Sequence, residues 1–314
     1  MDSLDEIRKE RALRWRTGKK GLPEDPSPAS RTRSRSPRKF QHSKDQEPSS
    51  SSRIRVLSWN IDGLDNDSDE EDMLGRTLWI IEEILKYQPN VVFLQELIDF
   101  NFAILSQRFQ GSYNIFKQQM HAQPYFVAIM VHKGTMEITA SDSIHFPNSK
   151  MGRGGVYVAA RQKGTDCEIG FITSHLESLR ESSQERQRQI QTCSEYASSV
   201  IKDNNLTCVI LGGDFNMRDN EVPAELRDKD TWIMAGRKKE CEYTWDLSRN
   251  DNAKMPNGST PRCRFDRLYV LDGIGWGTKV NTFSLTGTSR IEGLGRFASD
   301  HFGVFIDIST EKKQ

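Results

Sequence analysis

The sequence predicts an α/β fold of two mixed β-sheets packed face to face, with helices outside. Two observations carry this expectation. Apolar runs of strand length recur along the chain, among them "IRVLSWNI", "NVVFLQEL", "YFVAIMVH", "GGVYVAAR", "TCVILGGD" and "HFGVFIDI". Near-continuous apolar runs suit strands buried on both faces. Stretches with helical spacing stand between some of them. The resulting order is strand, helix, strand, several strands, helix, strand, strands, which matches packed sheets flanked by helices.

Taken in order, "IRVLSWNI" is the first strand and an acidic loop follows it, Asp65 to Asp72. Leu74, Leu78, Ile81 and Leu85 then recur at three- and four-residue intervals and predict an amphipathic helix. Pro89 ends it, because the residue before a proline resists the helical conformation. "NVVFLQEL", "YNIFKQ", "YFVAIMVH", "GGVYVAAR" and "EIGFITSHLE" read as strands. Ser182 and Glu185 form a capping-box pattern ahead of a second helix, whose stripe is Ile190, Cys193, Ala197 and Val200. "TCVILGGD" follows, then a looser region, then "RFDRLYVL" and "HFGVFIDI" as closing strands.

With 314 residues the chain has room for one large domain plus a tail, or for two smaller domains. Its charged residues balance to a formal net charge of zero, so the total implies no strongly basic or acidic partner. No apolar run is long enough to cross a membrane as a helix, and the charged N-terminus does not read as a secretory signal. The five cysteines form no CxxC pair, so neither a zinc site nor a disulfide framework is signalled, and reduced thiols are expected.

Residues 1–52 differ in texture from the rest. "RTRSRSPRK" and "EPSSSS" make a basic Ser/Arg/Pro-rich tail, expected to be disordered because it has too little apolar surface to offset ordering entropy. One short helix is expected over residues 4–16, where Leu4, Ile7, Arg11 and Arg14 or Trp15 follow helical spacing. The cluster Arg31 to Lys39 reads equally as a nuclear-localisation or nucleic-acid-binding patch and as a solvated linker. Its Ser-Pro and Arg-Ser pairs are candidate phosphorylation sites.

Polar residues cluster at strand ends. Asn60 and Asp62 follow "VLSW", Glu96 follows "VVFLQ", His175 follows "GFITS", Asp214 and Asn216 follow "VILGG", and Asp300 and His301 precede "FGVFIDI". One strand-end aspartate is usually a turn residue or helix cap. Five such ends in one chain point to a shared rim. Gly212 and Gly213 are expected to turn the backbone sharply there, and Asp214 and Asn216, two apart in extended chain, to point the same way. Asp62 and Glu96 are hard oxygen ligands without an accompanying cysteine, which favours Mg²⁺, with Mn²⁺ as a substitute, over zinc. Asp214 is the candidate base or water-positioning group. Asn60, Asn216, His175 and His301 are candidate donors to phosphate oxygens, and Asp266 is the carboxylate available to orient a histidine. The composite is metal-assisted phosphodiester hydrolysis.

"SWNIDGLD", "LQEL", "TSHLES", "LGGDFNMRD", "RFDRLYV" and "SDHFGVF" stand in the order of the endonuclease/exonuclease/phosphatase superfamily, which the chain resembles over about residues 53–309. Together with "YTWD", the longer strings narrow the resemblance. They are similar to the branch that hydrolyses the 5′-phosphotyrosyl bond between DNA and a trapped topoisomerase II. The resemblance implies a DNase I-like four-layer sandwich over residues 53–314. It also implies Mg²⁺ dependence, a role in double-strand break repair, and a nuclear location shared with the cytoplasm. The implied substrate is a single-stranded 5′ DNA end carrying a tyrosyl or peptide adduct, with no membrane partner.

By the same resemblance Asn60 contacts phosphate, Glu96 binds metal with Asp62 as its partner through water, and Asp214 is catalytic beside Asn216. His301 stabilises phosphate and Asp266 orients it. Further substrate contacts fall on Ile61, Gly63 and Leu64 of the first motif and on His175, Leu176, Glu177, Ser178, Leu179 and Arg180. Met217 and Arg218 follow Asn216 in the same role, and Tyr125, Trp245 and Phe265 hold the single-stranded end. Ubiquitin binding is not expected, since the N-terminal 52 residues have room for one helix rather than three. Phe215 replaces a threonine common in relatives and is expected to face away from Asp214. "RDNEVPAEL" lacks an arginine that would make one more DNA contact. The competing expectations are a superfamily nuclease acting on abasic DNA or RNA, and a non-catalytic binding module that kept the fold.

Overall fold

The computed structural model describes residues 52–65, 67–119 and 123–313. The helix expected over residues 4–16 and the basic cluster Arg31 to Lys39 lie outside the described residues. Strand β1 (Ser52–Asn60) leads through helix α1 (Glu70–Tyr87) to β2 (Val91–Leu97), helix α2 (Asp99–Phe109) and the hairpin β3 (Tyr113–Lys117) and β4 (Phe126–His132). Next come β5 (Met136–His145), β6 (Gly154–Gln162) and β7 (Glu168–His175), then helix α3 (Ser183–Asn204) and β8 (Cys208–Asp214). After short helical turns and α4 (Thr231–Met234) the chain closes with β9 (Trp245–Asp246), β10 (Arg262–Cys263), β11 (Asp266–Asp272), β12 (Trp276–Thr286) and β13 (Gly303–Lys312).

One six-stranded sheet has the order β12-β13-β1-β2-β4-β3, and one five-stranded sheet the order β11-β8-β7-β6-β5. Each is mixed. β1 runs parallel to β2 and antiparallel to β13. β7 runs parallel to β8, which runs antiparallel to β11. The expected sandwich is therefore present. Ile54, Val56, Phe93, Ile129, Val158, Phe171, Ile210 and Ile306 fill the space between the sheets. Alternate residues of the same strands face outward, where Leu57, Trp59, Val92 and Leu94 meet Ile80, Ile81 and Ile84 of α1. Ile172, Val209 and Leu211 likewise meet Ile190, Cys193 and Ala197 of α3. Both faces of the central strands are dry, which is why their sequences are continuously apolar.

The α1 stripe needs correction. Leu74 and Leu78 are exposed, and the buried face is Met73, Arg76, Thr77, Ile80, Ile81 and Ile84. A buried arginine within the stripe disguised the register. Beyond Tyr87, Gln88 turns left-handed and Pro89 follows, as expected. The capping box at α3 does not form. Ser182 makes no side-chain cap bond, and Glu185 accepts instead from Arg188 and Gln189. Strands β5 and β12 and helix α2 were not legible. The two strands are sheet edges with mostly accessible polar residues.

Candidate active site

Both parallel pairs in this fold are crossover units, β1–α1–β2 and β7–α3–β8. Parallel strands in one unit end at the same edge of the sheet. Asn60 and Glu96 thus finish β1 and β2, while His175 and Asp214 finish β7 and β8 as direct register partners. The antiparallel neighbours begin where those strands end. Asp266 opens β11 opposite Asp214, and His301 stands just before β13, which runs beside β1. Topology alone therefore delivers six polar side chains to one rim.

Their contacts are close. Asn60 Nδ2 donates to Asp214 Oδ2 at 2.9 Å and to Glu96 Oε1 at 3.2 Å. His175 Nε2 lies 3.3 Å from Asp214 Oδ2 and 3.8 Å from Glu96 Oε1. His301 Nδ1 meets Asp266 Oδ2 at 2.8 Å, and its Nε2 stands 3.8 Å from Asp214 Oδ2. Ser299 fixes both halves of the rim, donating to the Asn60 carbonyl and accepting from the His301 amide. Burial works against a charge on His301. Asp266, Asp300 and Asp214 together outweigh it and hold the imidazole well above its ordinary value.

The backbone at the rim is unusual. Asp62, Glu96 and Asn216 have φ of 50°, 54° and 52°, the left-handed region. Such positions cost about 1–3 kcal/mol each and cluster where geometry serves chemistry. Glu96 lies in an irregular stretch of β2 where the register to β4 shifts. Gly63 holds it there. The Gly63 amide donates to the Glu96 carbonyl, and a Cβ on Gly63 would stand 2.2 Å from that oxygen.

Two expectations about the motif are corrected here. Asn216 does not continue an extended chain from Asp214; it turns, and its amide donates back to Asp214 Oδ1 at 2.9 Å. Nor do the glycines make the turn, because β8 runs through both to Asp214. They allow close approach. A Cβ on Gly213 would stand 2.0 Å from the Ser174 carbonyl oxygen, and one on Gly212 2.1 Å from Leu268. Phe215 does face away, stacked on Tyr269 in the core beneath α3.

Other expected residues divide into those at the rim and those beneath it. Among the described residues Asp62 joins no group of three direct ligand atoms. Its Oδ2 pairs with buried Arg76 at 3.2 Å. Arg76 also takes Asp65 and the carbonyls of Ile61, Asp62 and Ala298, so it braces the loop after β1. The side chains of Ile61, Leu64, Leu176, Leu179 and Met217 are buried. Glu177 and Ser178 are buried too and hold the loop before β6. Arg180 and Arg218 are exposed. Tyr125 is half-exposed, 6.5 Å from the His175 ring between centroids. Trp245 is only 1% exposed and Phe265 8%, packed with Leu247 and Met255. The Trp245 indole donates to Asp300 at 3.1 Å, and its burial leaves no open stacking face.

The sequence reading missed Arg153, which is buried and whose Nη1 lies 2.6 Å from His175 Nδ1. The available signal was an arginine beside the glycines that open an apolar strand.

Glu96, His175 and Asp214 present ligand atoms within 4.8 Å of one another, as do Asp214, Asp266 and His301. The second group is internally paired through His301. In the first, two carboxylates converge and Glu96 keeps some side-chain exposure while Asp214 has none. Two hard oxygen donors at an opening suit a divalent cation that also takes substrate oxygens.

Comparison with known proteins agrees with this geometry. Residues 57–255 match the Endonuclease/Exonuclease/phosphatase family 2. The chain is 36% identical to mouse tyrosyl-DNA phosphodiesterase 2 over 263 residues, covering 82% of this chain and 67% of the relative. It is 34% identical to the 5′-tyrosyl-DNA phosphodiesterase of Caenorhabditis elegans over 253 residues, covering 80% and 66%. It thus spans about two thirds of the length of these relatives. The structure of Danio rerio tyrosyl-DNA phosphodiesterase 2 complexed with a single-strand DNA product superposes with TM-score 0.72 at 31% identity, covering 82% of this chain and 99% of that one. With that fold, those relatives and six polar groups on one rim, the chain belongs to the endonuclease/exonuclease/phosphatase family of phosphodiesterases, on its tyrosyl-DNA phosphodiesterase 2 branch.

Proposed function

We propose that this chain hydrolyses the 5′-phosphotyrosyl bond between DNA and a protein or peptide adduct, in repair of breaks left by trapped topoisomerase II. The observation that carries this is the convergence of Asn60, Glu96, His175, Asp214 and the His301–Asp266 pair on one rim, in a chain whose relatives carry that activity in their names.

In this reading Glu96 and Asp214 would hold Mg²⁺, with Mn²⁺ as a substitute, and a cation there would supply charge withdrawal from the phosphate oxygens. Asp214 positions the attacking water and takes its proton; its Oδ1 is anchored by the Asn216 amide and its Oδ2 by Asn60. Asn60 and His301 donate to phosphate oxygens as charge grows there. Asp266 sustains the charge on His301 and sets its orientation. The departing phenolate needs little help, since tyrosine has an ordinary pKa of about 10, well below that of a sugar alkoxide. Arg180 and Arg218, exposed near the rim strands, make phosphate contacts that weaken with salt.

Residues 53–314 form the catalytic domain in this proposal, and residues 1–52 a basic tail that serves nuclear localisation or recruitment. The deciding experiment offers the purified chain a 5′-phosphotyrosyl oligonucleotide and an abasic duplex, each with and without Mg²⁺. Faster cleavage of the tyrosyl end, lost on chelation, is expected. Faster cleavage of the abasic duplex would overturn the substrate assignment.

A further inference from the structure

We propose that Arg153 decides what His175 is for. It locks the imidazole as the Nε2–H tautomer, so that His175 serves the rim as a hydrogen-bond donor and is kept out of the metal's coordination sphere. Arg153 is thus a positioning residue for the phosphodiesterase chemistry proposed above, on which this role rests.

A guanidinium has five N–H donors and no acceptor. Arg153 Nη1 lies 2.6 Å from His175 Nδ1, in a region where both side chains are buried. Only an unprotonated Nδ1 can accept there, so the ring proton belongs on Nε2. Nε2 is the nitrogen that faces Asp214 at 3.3 Å and Glu96 at 3.8 Å. A metal-binding histidine has the opposite arrangement. It coordinates through an unprotonated nitrogen and hands its second N–H to an acceptor such as a carboxylate or carbonyl. His175 has a donor behind it instead. Geometric proximity places it with Glu96 and Asp214 as a ligand set, but its hydrogen bonding removes it from that set.

Arg153 is held firmly enough to enforce the choice. Its amide donates to Ser149 Oγ at 2.7 Å, and Ser149 donates to Glu177 Oε1 at 2.6 Å. Glu177 also takes the Met151 amide at 3.0 Å. Arg153 Nη2 donates to Ser178 Oγ at 3.2 Å, and the guanidinium carbon lies 4.7 Å from the centre of the Tyr125 ring. Tyr125 closes the loop by donating to the Met151 carbonyl at 2.9 Å. The segment from Ser149 to Arg153 is therefore clamped from three sides, and its fixed product is one N–H aimed at Nδ1. The same arrangement accounts for buried Glu177 and Ser178 in a motif otherwise assigned to substrate contact.

The test reads the tautomer directly, on the full-length chain without substrate. The six histidines are labelled with ¹⁵N, and the His175 signals are identified by their loss in His175→Gln. Wild type is expected to show a protonated Nε2 and an unprotonated Nδ1 for His175. Arg153→Met should give mixed tautomers, and Arg153→Lys, which keeps a donor, should restore the single form. Zinc titration supplies the second readout. Arg153→Met should bind Zn²⁺ about tenfold more tightly than wild type, and the added substitution His175→Gln should abolish the gain. A wild-type His175 protonated at Nδ1 would overturn the inference without any variant. So would an Arg153→Met protein with unchanged tautomer and zinc affinity. Neither readout depends on which DNA end the enzyme cuts, so failure of the substrate assignment would leave this result standing.

Discussion

Asp214 and Asp266 are register partners on adjacent antiparallel strands, yet each carboxylate has its own counterpart. Asp214 is held by Asn60 and the Asn216 amide, and Asp266 by His301. Two buried carboxylates so close would repel without that division. A cationic His301 between them eases that repulsion, although burial still holds the Asp266 carboxyl above its ordinary value.

Asp266→Asn should therefore change the pH profile as well as the rate. Asp266, Asp300 and Asp214 raise His301 above its ordinary value, so the imidazolium is retained through neutral pH and lost only as pH rises through the raised value. Removing the nearest carboxylate lowers that value. The alkaline limb of kcat/KM on a phosphotyrosyl oligonucleotide should move to lower pH, with kcat reduced about a hundredfold or more. An unmoved limb would show that another group sets it.

Glu96→Gln or Asp214→Asn should abolish turnover while leaving the protein folded. Removing a metal ligand or the water-positioning carboxylate costs several kcal/mol of transition-state stabilisation, about a hundredfold or more in rate. Near-wild-type turnover in either variant, with an unchanged melting temperature, would dismiss the assigned roles.

Arg76→Met should be strongly destabilising although Arg76 touches no substrate. It leaves Asp62 and Asp65 buried beside three carbonyls that have lost their donor. Breaking one side of a buried ion pair costs about 3–5 kcal/mol. Urea unfolding of the two proteins measures this, and a loss below about 1 kcal/mol would mean the loop relaxes to water.

Trp245→Ala tests the correction made at the rim. A buried tryptophan in a small cluster should cost about 3–5 kcal/mol of stability. Loss of Asp300's indole partner should also lower the rate on a small phosphotyrosyl ester as well as on DNA. Selective loss of single-strand binding with unchanged stability would return Trp245 to the role of a base-stacking platform.

Deleting residues 1–50 should leave the rate on a short substrate within about twofold and change only where the protein accumulates, since the segment has too few apolar residues to contribute to a core. A large loss of rate in vitro would place part of the tail in the active site.

Much of this molecule was legible from the chain alone. The continuously apolar strands announced sheets buried on both faces, because burial on both sides leaves no position for polar residues. The strand-end motifs announced Asn60, Glu96, His175, Asp214 and His301 as neighbours, because parallel strands of crossover units end on one edge. Tertiary structure alone decided which of those groups face one another and which are held back. Asp62, a hard ligand by type, is held by Arg76, and Arg76 was hidden in a helix stripe that spacing placed one position off. Trp245, aromatic and in a motif, is buried in a cluster with Leu247, Met255 and Phe265. Edge strands β5 and β12 escaped notice because open edges tolerate polar residues. Arg153 sits 22 residues before His175 in sequence and 2.6 Å from it in space. No local pattern encodes that contact, because hydrogen-bond partners across a sheet rim are set by register and loop path rather than by neighbouring residues.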